Sequence, residues 1–376
     1  MEIIYDSDKE MEQDDASINM AMQYSDAIIT MDSEIERRLP AEWEEQSFVQ
    51  IAWPNEDTDW CDVLEEAIAC YKNIVAAITK YEPMVIVARS ADEVLLHLTD
   101  EQKSRVTIVE APINDTWARD HAFITVEEGG EPVLLDFQFN GWGLKFASDK
   151  DNMMNRHLYK ALFEEKGYRY ENHLGFTLEG GSIESDGKGL LLTTEECLSS
   201  PNRNGDMTQT DISEALDAFF ELNTISWLGS GYLAGDDTDS HIDTLARLAP
   251  DNTILYVRCD DESDEHYEAL KAMEEELKLM RTKDDEPFKL VALPMCSPVY
   301  DPENGDRLPA TYANYLYVNG AVIVPTYNVP EDETALATFK ATFPNKEIVS
   351  VDCSVLIRQH GSLHCVTMQY PKSVKI

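Results

Sequence analysis

The 376-residue sequence has little positive charge. Thirty lysines and arginines stand against 72 aspartates and glutamates, which gives a formal net charge of −42. Nucleic-acid binding depends on lysine and arginine neutralising phosphates, so we expect no nucleic-acid partner. The excess acid is typical of a solvated or salt-adapted surface, and it is also compatible with attraction of cationic ligands.

Long apolar runs are also missing. No stretch approaches the roughly 18 apolar residues that predict a membrane-spanning helix. Acids interrupt the first 39 residues throughout, which is unlike a secretory signal. We therefore expect a cytoplasmic protein without membrane contact.

Cysteine is sparse and scattered. The seven cysteines show no CxxC spacing, so neither a disulfide framework nor a zinc site is indicated. His360, His364 and Cys365 are close in sequence, but histidines four residues apart come together on a helix. Here Gly361 and the alternation that follows it predict a strand. We expect reduced thiols, no metal and no organic cofactor.

The chain divides near residue 39. Residues 1–38 hold eleven acids, three bases and no sustained apolar period, so we interpret them as a disordered extension. Although 376 residues is long for one domain, one pattern recurs from Leu39 onward, and we assign residues 39–376 to a single catalytic domain.

That pattern is a hairpin, an amphipathic helix and a single strand, and the single strands are predicted over 84–88, 106–110, 224–228, 289–293 and 347–351. Helical spacing predicts helices over 59–78, 152–165, 210–222, 263–281 and 331–342. Turn residues predict hairpins over 122–137, 176–194, 241–258 and 312–326. If Ser362–Gln369 pairs with Val49–Trp53 as a fifth hairpin, five units close into a ring. The expected fold is a five-bladed α/β propeller.

Polar clusters occur at the start of each hairpin, and in a ring these positions converge on the axis. Each cluster also has an ordinary structural explanation. Glu179 could be a solvated turn residue, Asp120 a salt-bridge partner, and His241 with Asp243 a buried pair on one strand face. Cys365 could be a small buried hydrophobe. The clusters are 114–120, 179–182, 235–243, 312–314 and 364–365.

Taken together, the motifs resemble the agmatine deiminases and the related bacterial-type peptidyl-arginine deiminases, which modify guanidines. The resemblance covers about residues 39–371. It rests on LPAEW at 39–43, NDTWARD at 114–120, FNGWG at 139–143, LEGGSIESDGKG at 178–189 with the TEECL and PNRN that follow, GDDTDSHID at 235–243, ANYLYVNGAVIVP at 313–325 and GSLHC at 361–365.

The resemblance implies a five-bladed propeller with a central site and a role for each matching residue. Cys365 is expected to be the nucleophile, His241 the general acid and base, and Glu179 the group that orients the histidine. Asp120 and Asp243 are expected to grip the guanidinium. Asp115, Trp117 and Asn314 are expected beside the substrate. The family also implies a homodimer as one option.

Two positions depart from the family pattern. Residues 359–362 read Gln-His-Gly-Ser where a run of glycines is common, and Glu184 stands where histidine is common. Neither replaces an expected catalytic residue, but both could reshape the pocket.

Agmatine is the expected substrate, because an acidic pocket suits a dication. Free arginine would call for an arginine or lysine in the pocket. Among the polar clusters at the hairpin starts only Arg119 is available, and it should point away from Asp120 on a strand. Peptidyl arginine is the second candidate. A non-catalytic acidic binding protein and a thiol protease or amidase are further alternatives. The binding protein predicts that the catalytic set is broken, whereas here it is intact. A thiol protease or amidase would not need several carboxylates around its thiol.

Overall fold

The computed structural model describes residues 3–5, for which only the backbone is considered, and 36–376. The predicted disordered extension therefore lies largely outside the described residues. Two stretches of it are strands: Ile3–Tyr5 pairs with Ile108–Glu110, and Arg37–Arg38 pairs with Glu127–Glu128. At these points the chain departs from the expectation of disorder.

The five longest helical segments fall where the apolar period predicts them. In the helix at Tyr267–Leu279, the buried side chains Leu270, Met273 and Leu277 form one stripe, as expected for core packing. In chain order the α-helices are α1 (Leu64–Thr79), α2 (Ala91–Leu95), α3 (Asp100–Lys103), α4 (Ala118–His121), α5 (Gly141–Leu144), α6 (Met154–Leu158, continued by a π-turn at Tyr159–Phe163), α7 (Glu195–Leu198), α8 (Pro201–Asn204), α9 (Gln209–Phe220), α10 (Tyr267–Leu279) and α11 (Asp332–Thr342).

Eighteen strands are present in the described residues. They are β1 (Ile3–Tyr5), β2 (Arg37–Arg38), β3 (Gln46–Ala52), β4 (Met84–Ala88), β5 (Val106–Glu110), β6 (Ile124–Glu128), β7 (Glu131–Gln138), β8 (Arg169–Thr177), β9 (Ile183–Ser185), β10 (Leu190–Thr194), β11 (Thr224–Leu228), β12 (Ala246–Ala249), β13 (Thr253–Arg258), β14 (Lys289–Pro294), β15 (Leu316–Val318), β16 (Ala321–Thr326), β17 (Glu347–Asp352) and β18 (Met368–Pro371).

Within the described residues these strands form five sheets, and one pairing pattern recurs in all of them. Each sheet contains an antiparallel pair whose second strand is joined in parallel to the strand that follows a helical segment. The pairs with their parallel partners are β6–β7 with β8, β9–β10 with β11, β12–β13 with β14, β15–β16 with β17, and β18–β3 with β4. The architecture is an α/β fold of mixed sheets.

The last strand pairs with the first strand of the globular part, as the sequence predicts. β18 runs antiparallel to β3, with Met368 opposite Gln50 and Tyr370 opposite Phe48. The partner strand is shorter than expected, because residues 362–367 form turns rather than strand. The predicted strand over Ser362–Gln369 is therefore wrong for its first six residues.

Two other local predictions are wrong in the same way. Residues Ala118–His121, predicted as strand, form one helical turn, and Ile242–Thr244 form a 3₁₀ turn. The chain thus turns sharply before these hairpins begin. In the described part of the chain, no helix is both long enough and apolar enough to cross a membrane.

Candidate active site

A pocket of about 230 Å³ opens where several of the polar clusters meet. Cys365 and Asp120 line it, with Trp117 and Trp142 as its aromatic residues. Acidic side chains dominate the rest of the lining, since Asp57, Asp59, Asp115, Asp151 and Asp237 line it together with the basic side chains Lys150 and His360. The pocket is therefore shaped for a small ligand that carries positive charge.

Cys365 sits in the turn before β18 and is held by Asn314. The Asn314 Nδ2 lies 3.2 Å from the Cys365 Sγ, and its Oδ1 accepts hydrogen bonds from the backbone N–H of His364 at 2.8 Å and of Cys365 at 3.3 Å. Burial, with the charges of Asp243 and Asp120, raises the pKa of the Cys365 thiol well above its usual value. Without ligand the sulfur is therefore a thiol at neutral pH.

Asp243 lies beside the sulfur with one oxygen unused. Its Oδ2 is 3.8 Å from the Cys365 Sγ and accepts a hydrogen bond from His364 Nδ1 at 2.7 Å. Its buried Oδ1 has no hydrogen-bond partner. Burial opposes ionisation of Asp243, but the hydrogen bond and charge of His364 outweigh it and lower the pKa. An ionised oxygen is thus left without a donor in the site.

Asp120 is fixed by two donors from different parts of the chain. Its Oδ1 accepts the backbone N–H of Gly181 at 3.0 Å, and its Oδ2 accepts Trp142 Nε1 at 2.9 Å. Burial raises the pKa of Asp120 to about 6; the charge of His241 opposes this, and those of Asp243 and Glu179 add to it. Spare lone pairs remain on both oxygens for a further donor.

His241 contacts Glu179, the residue predicted to orient it. Its Nε2 lies 3.3 Å from Glu179 Oε2, and its buried Nδ1 has no hydrogen-bond partner and lies 3.7 Å from Asp120 Oδ1. Burial lowers the pKa of His241, but Asp120, Cys197 and Glu179 outweigh it and raise the pKa well above the ordinary value. The imidazole is therefore charged and has one N–H to give.

Glu179 is fully buried rather than solvated, and Arg203 explains how. The Arg203 Nε lies 2.7 Å from Glu179 Oε2, and its Nη1 lies 2.6 Å from Asp239 Oδ2. This ion pair and the hydrogen bond from His241 lower the pKa of Glu179 despite its burial. Arg203, from the PNRN motif, therefore keeps the buried carboxylate ionised.

Gly181 marks the point at which the polar groups converge. A methyl group built on its Cα would lie 2.7 Å from His241 Nδ1, 2.9 Å from Asp120 Oδ1 and 3.1 Å from Asp243 Oδ2. These three atoms come from three separate clusters in the sequence. They surround one small volume, which only a residue without a side chain leaves open.

Asp115 and Trp117 lie on the pocket wall. Trp117 Nε1 donates to Asp115 Oδ2 at 3.3 Å, and burial with the charges of Asp59 and Asp151 raises the pKa of Asp115 to about 8. A Cβ at Gly361 would lie 2.1 Å from the Trp117 ring, so glycine is required at that position. The structure thus brings all eight predicted site residues into one region.

Arg119 points away from the pocket, as expected, but for a different reason. It lies in the helical turn α4, where its Nη1 meets Glu42 at 2.9 Å and its Nη2 donates to Gln369 at 2.6 Å. Glu184 also lies outside the pocket lining and pairs with the buried Arg247. Of the two departures from the family pattern, only residues 359–362 reach the pocket, through Gln359, His360 and Gly361.

Sequence reasoning missed several residues that support the site. Trp142, Arg203 and Gly181 all lie in motifs that were recognised, but hydrophobic patterning assigned them no contact. Trp142 adopts a left-handed backbone, with a φ of 54°, which aims its ring at Asp120. Such a conformation is costly for a bulky residue and has no signature in apolar periodicity.

Two clusters of potential metal ligands occur among the described residues. They are Glu179 with Cys197 and His241, and Glu42 with Glu184 and His364, each with ligand atoms within 4.8 Å of one another. Their carboxylates already pair with Arg203 or Arg247. Because guanidinium groups match the negative charge in both clusters, we do not assign a metal to either.

A buried thiol, a charged histidine and two carboxylates lie together beside an acidic pocket in an α/β fold, and this set of groups suits an enzyme that acts on a small cationic substrate. Residues 38–371 match the Porphyromonas-type peptidyl-arginine deiminase family, and the chain belongs to that family.

Known proteins of this family resemble the chain over nearly its whole length. The agmatine deiminase of Pseudomonas aeruginosa (strain LESB58) is 32% identical over 364 residues, which cover 89% of this chain and 95% of the relative. A Cys→Ser variant of C. jejuni agmatine deiminase, solved with substrate bound, is 38% identical with a TM-score of 0.83, and the match covers 90% of this chain and 97% of that one. A Porphyromonas gingivalis protein, provisionally named an arginine deiminase, is 46% identical with a TM-score of 0.85, and the match covers 90% of this chain and 99% of that one.

Proposed function

We propose that the protein is an agmatine deiminase, which hydrolyses the guanidinium of agmatine to N-carbamoylputrescine and ammonia. The observation that carries the proposal is the convergence of His241 Nδ1, Asp120 Oδ1 and Asp243 Oδ2 on one volume beside Cys365. A planar guanidinium needs acceptors that fix its plane and a nucleophile that faces its carbon. These residues supply both.

In the first half of the reaction, Asp120 and Asp243 bind the substrate N–H groups. The positive charge of the guanidinium offsets the carboxylates that disfavour the Cys365 thiolate, so the thiol loses its proton to solvent water when substrate is bound. The thiolate then attacks the guanidinium carbon and forms a tetrahedral adduct. His241, held by Glu179, gives a proton to one nitrogen, which departs as ammonia and leaves a thiouronium on the sulfur.

In the second half, His241 takes a proton from water. The resulting hydroxide attacks the same carbon, and the carbon–sulfur bond breaks. The ureido product leaves and the thiolate is regenerated, so one water is consumed for each ammonia released. Asn314, which contacts the sulfur directly, keeps Cys365 aligned through both steps.

The acidic opening favours agmatine over arginine. Five acidic side chains line the pocket together with Lys150 and His360. Without ligand, burial raises the pKa of Asp115 to about 8 and that of Asp151 to about 7, and a bound ammonium lowers both. The distal ammonium of agmatine therefore meets opposite charge, and the carboxylate of free arginine does not. Peptidyl arginine, whose backbone is uncharged, is the second candidate. The family's name favours it as the alternative.

We further propose that the five sheets are the blades of an α/β propeller around this site, since all five share one pairing pattern and the polar clusters precede their hairpins. A cytoplasmic location suits the reduced thiol that the reaction needs. A single small cationic substrate accounts for the residues of the pocket without an organic cofactor.

The experiment is incubation of the purified protein with agmatine, free arginine and an arginine-containing peptide, with ammonia and ureido product measured for each. We expect release of one ammonia per N-carbamoylputrescine from agmatine. Product from the peptide alone would replace agmatine with the second candidate. No product from any of the three would overturn deimination.

A further inference from the structure

A buried network of charged side chains lies behind Asp243, on the side away from the pocket. His364 Nδ1 donates to Asp243 Oδ2 at 2.7 Å, and its Nε2 lies 2.8 Å from Glu42 Oε1. Glu42 also pairs with Arg247 and Arg119, and Arg247 pairs with Glu184. The side chain of Glu42 is 13% exposed, and those of His364 and Arg247 are fully buried.

The hydrogen-bond geometry fixes both protons of His364. Each ring nitrogen faces an oxygen of an ionised carboxylate at 2.8 Å or less, and such an oxygen can only accept, so each nitrogen must carry a hydrogen. Arg247 Nη2 also lies 3.0 Å from His364 Nε2, but it donates its hydrogen to Glu42 Oε2, so it does not need the ring nitrogen as an acceptor. His364 is therefore an imidazolium.

The neighbouring charges act on His364 in both directions. Burial and the charges of Arg119 and Arg247 lower the pKa of His364 below its ordinary value, although Glu42 and Asp243 oppose this. Burial raises the pKa of Glu42, but Arg247, His364 and Arg119 outweigh it and hold it well below its usual range. Burial also raises the pKa of Glu184 to about 8, although Arg247 opposes this. The assignment of the imidazolium therefore rests on its two short contacts with carboxylate oxygens.

We propose that Glu42 is a positioning residue for the deimination site. Glu42 holds His364 as an imidazolium against Asp243 Oδ2, so that Asp243 stays ionised and offers its Oδ1 to the guanidinium. The proposal rests on the proposed function for its effect on turnover. Its structural part, the charge on His364, is independent of any substrate. Glu42 belongs to the LPAEW motif before β3, so this segment contributes to a site it does not line.

The charged and titratable groups around Asp243 come from several elements. His364 and Cys365 face it from the turn before β18, and the charges of His241, Arg247 and Asp120 act on it from their own segments. Asp120 has the higher pKa of the two carboxylates and controls the acid side of the wild-type pH profile. Protonation of Asp243 affects the acid side of the pH profile only when the pKa of Asp243 rises.

The test uses Glu42→Gln, which keeps the shape of the side chain and removes its charge. The new amide can donate to His364 Nε2, so a neutral imidazole keeps its Nδ1–H on Asp243. Glu45→Gln is the matched control. Glu45 lies three residues after Glu42 in the sequence and forms an exposed ion pair with Lys372. Thermal unfolding of each variant confirms folding.

The first measurement is NMR of histidine-labelled protein without substrate, with the His364 signal assigned from a His364→Asn variant. We expect a charged ring near neutral pH in the wild type and in Glu45→Gln, and a neutral ring in Glu42→Gln. A His364 signal that is neutral in the wild type, or unchanged by Glu42→Gln, would overturn the proposal.

The second measurement is the pH dependence of kcat/KM. In Glu42→Gln the acid limb should become steeper at its low-pH end, because the pKa of Asp243 rises towards that of Asp120 and both carboxylates then protonate within the measured range. Each unit by which the pKa of Asp243 rises gives about a tenfold further loss at pH values below that pKa, with recovery at higher pH. An equal loss at every pH would mean that Glu42 acts only in folding. If the wild type deiminates nothing, the proposed function fails, and the NMR result alone still decides the role of Glu42.

Discussion

A methyl group at Gly181 is expected to fill the place where the guanidinium binds. In Gly181→Ala the new carbon would lie 2.7 to 3.1 Å from the polar atoms of His241, Asp120 and Asp243. These distances are well below the roughly 3.5 Å of an ordinary non-bonded contact, so the three side chains must move apart. A shift of this kind in a catalytic group costs about 10²-fold in rate, and we expect at least that loss in kcat/KM.

Stability should respond far less than activity. Overpacking a buried site costs about 1–3 kcal/mol, so the variant is expected to fold. Gly175→Ala is the matched control, because no atom lies within 4 Å of its added methyl group and it lies in the strand β8 outside the site. Steady-state kinetics with agmatine and urea unfolding measure both effects. Wild-type turnover by Gly181→Ala would refute the assignment of this volume as the reaction centre.

Four further predictions concern the groups around the site. Arg203→Met leaves Glu179 buried without its cation, so the free energy of unfolding should fall by about 3–5 kcal/mol in urea titrations. Arg169→Met, which breaks an ion pair whose arginine side chain is 52% exposed, should cost at most about 1 kcal/mol, and equal losses would contradict the argument. Because the pKa of Asp120 is raised to about 6 and its carboxylate must bind the guanidinium, kcat/KM should fall as the pH drops through that value; a flat profile there would contradict this role. Asp120 binds its proton more tightly in the folded than in the unfolded protein, so the ionised carboxylate destabilises the fold above a pH of about 6. This destabilisation is relieved as the pH falls from about 6 towards 3.8. The difference in unfolding free energy between wild type and Asp120→Asn, measured across this range, tests the effect. Free Cys365 should react slowly with alkylating reagents, and faster when a non-reactive guanidinium leaves the sulfur accessible; a free thiol that titrates well below neutrality would contradict this.

The repeated architecture could be predicted from the sequence because it depends on apolar periodicity. Strands β4, β5 and β11 have the bounds that their apolar residues predict, and helix α11 differs from its predicted span by one residue at its start. The pairing of β18 with β3 also follows from the pattern, since an unpaired first strand requires a partner. These features need only local information.

The details of the site could not be predicted in the same way. His241, Asp243 and Cys365 lie in turns, where alternation does not determine the direction of a side chain. Trp142 reaches Asp120 only through a left-handed backbone, and Arg203 reaches Glu179 from a helix 24 residues further along. Such contacts depend on how separate segments meet. The family motifs indicated which residues matter but not which atoms they contact.

The central claim is that Cys365 attacks the guanidinium carbon of the substrate. Mass spectrometry of wild-type protein, acid-quenched during turnover of agmatine, tests it most directly. The account predicts that the peptide containing Cys365 gains the mass of agmatine minus ammonia, and that Cys365→Ser forms neither this adduct nor product. Continued turnover by Cys365→Ser, or an adduct on another cysteine, would contradict it.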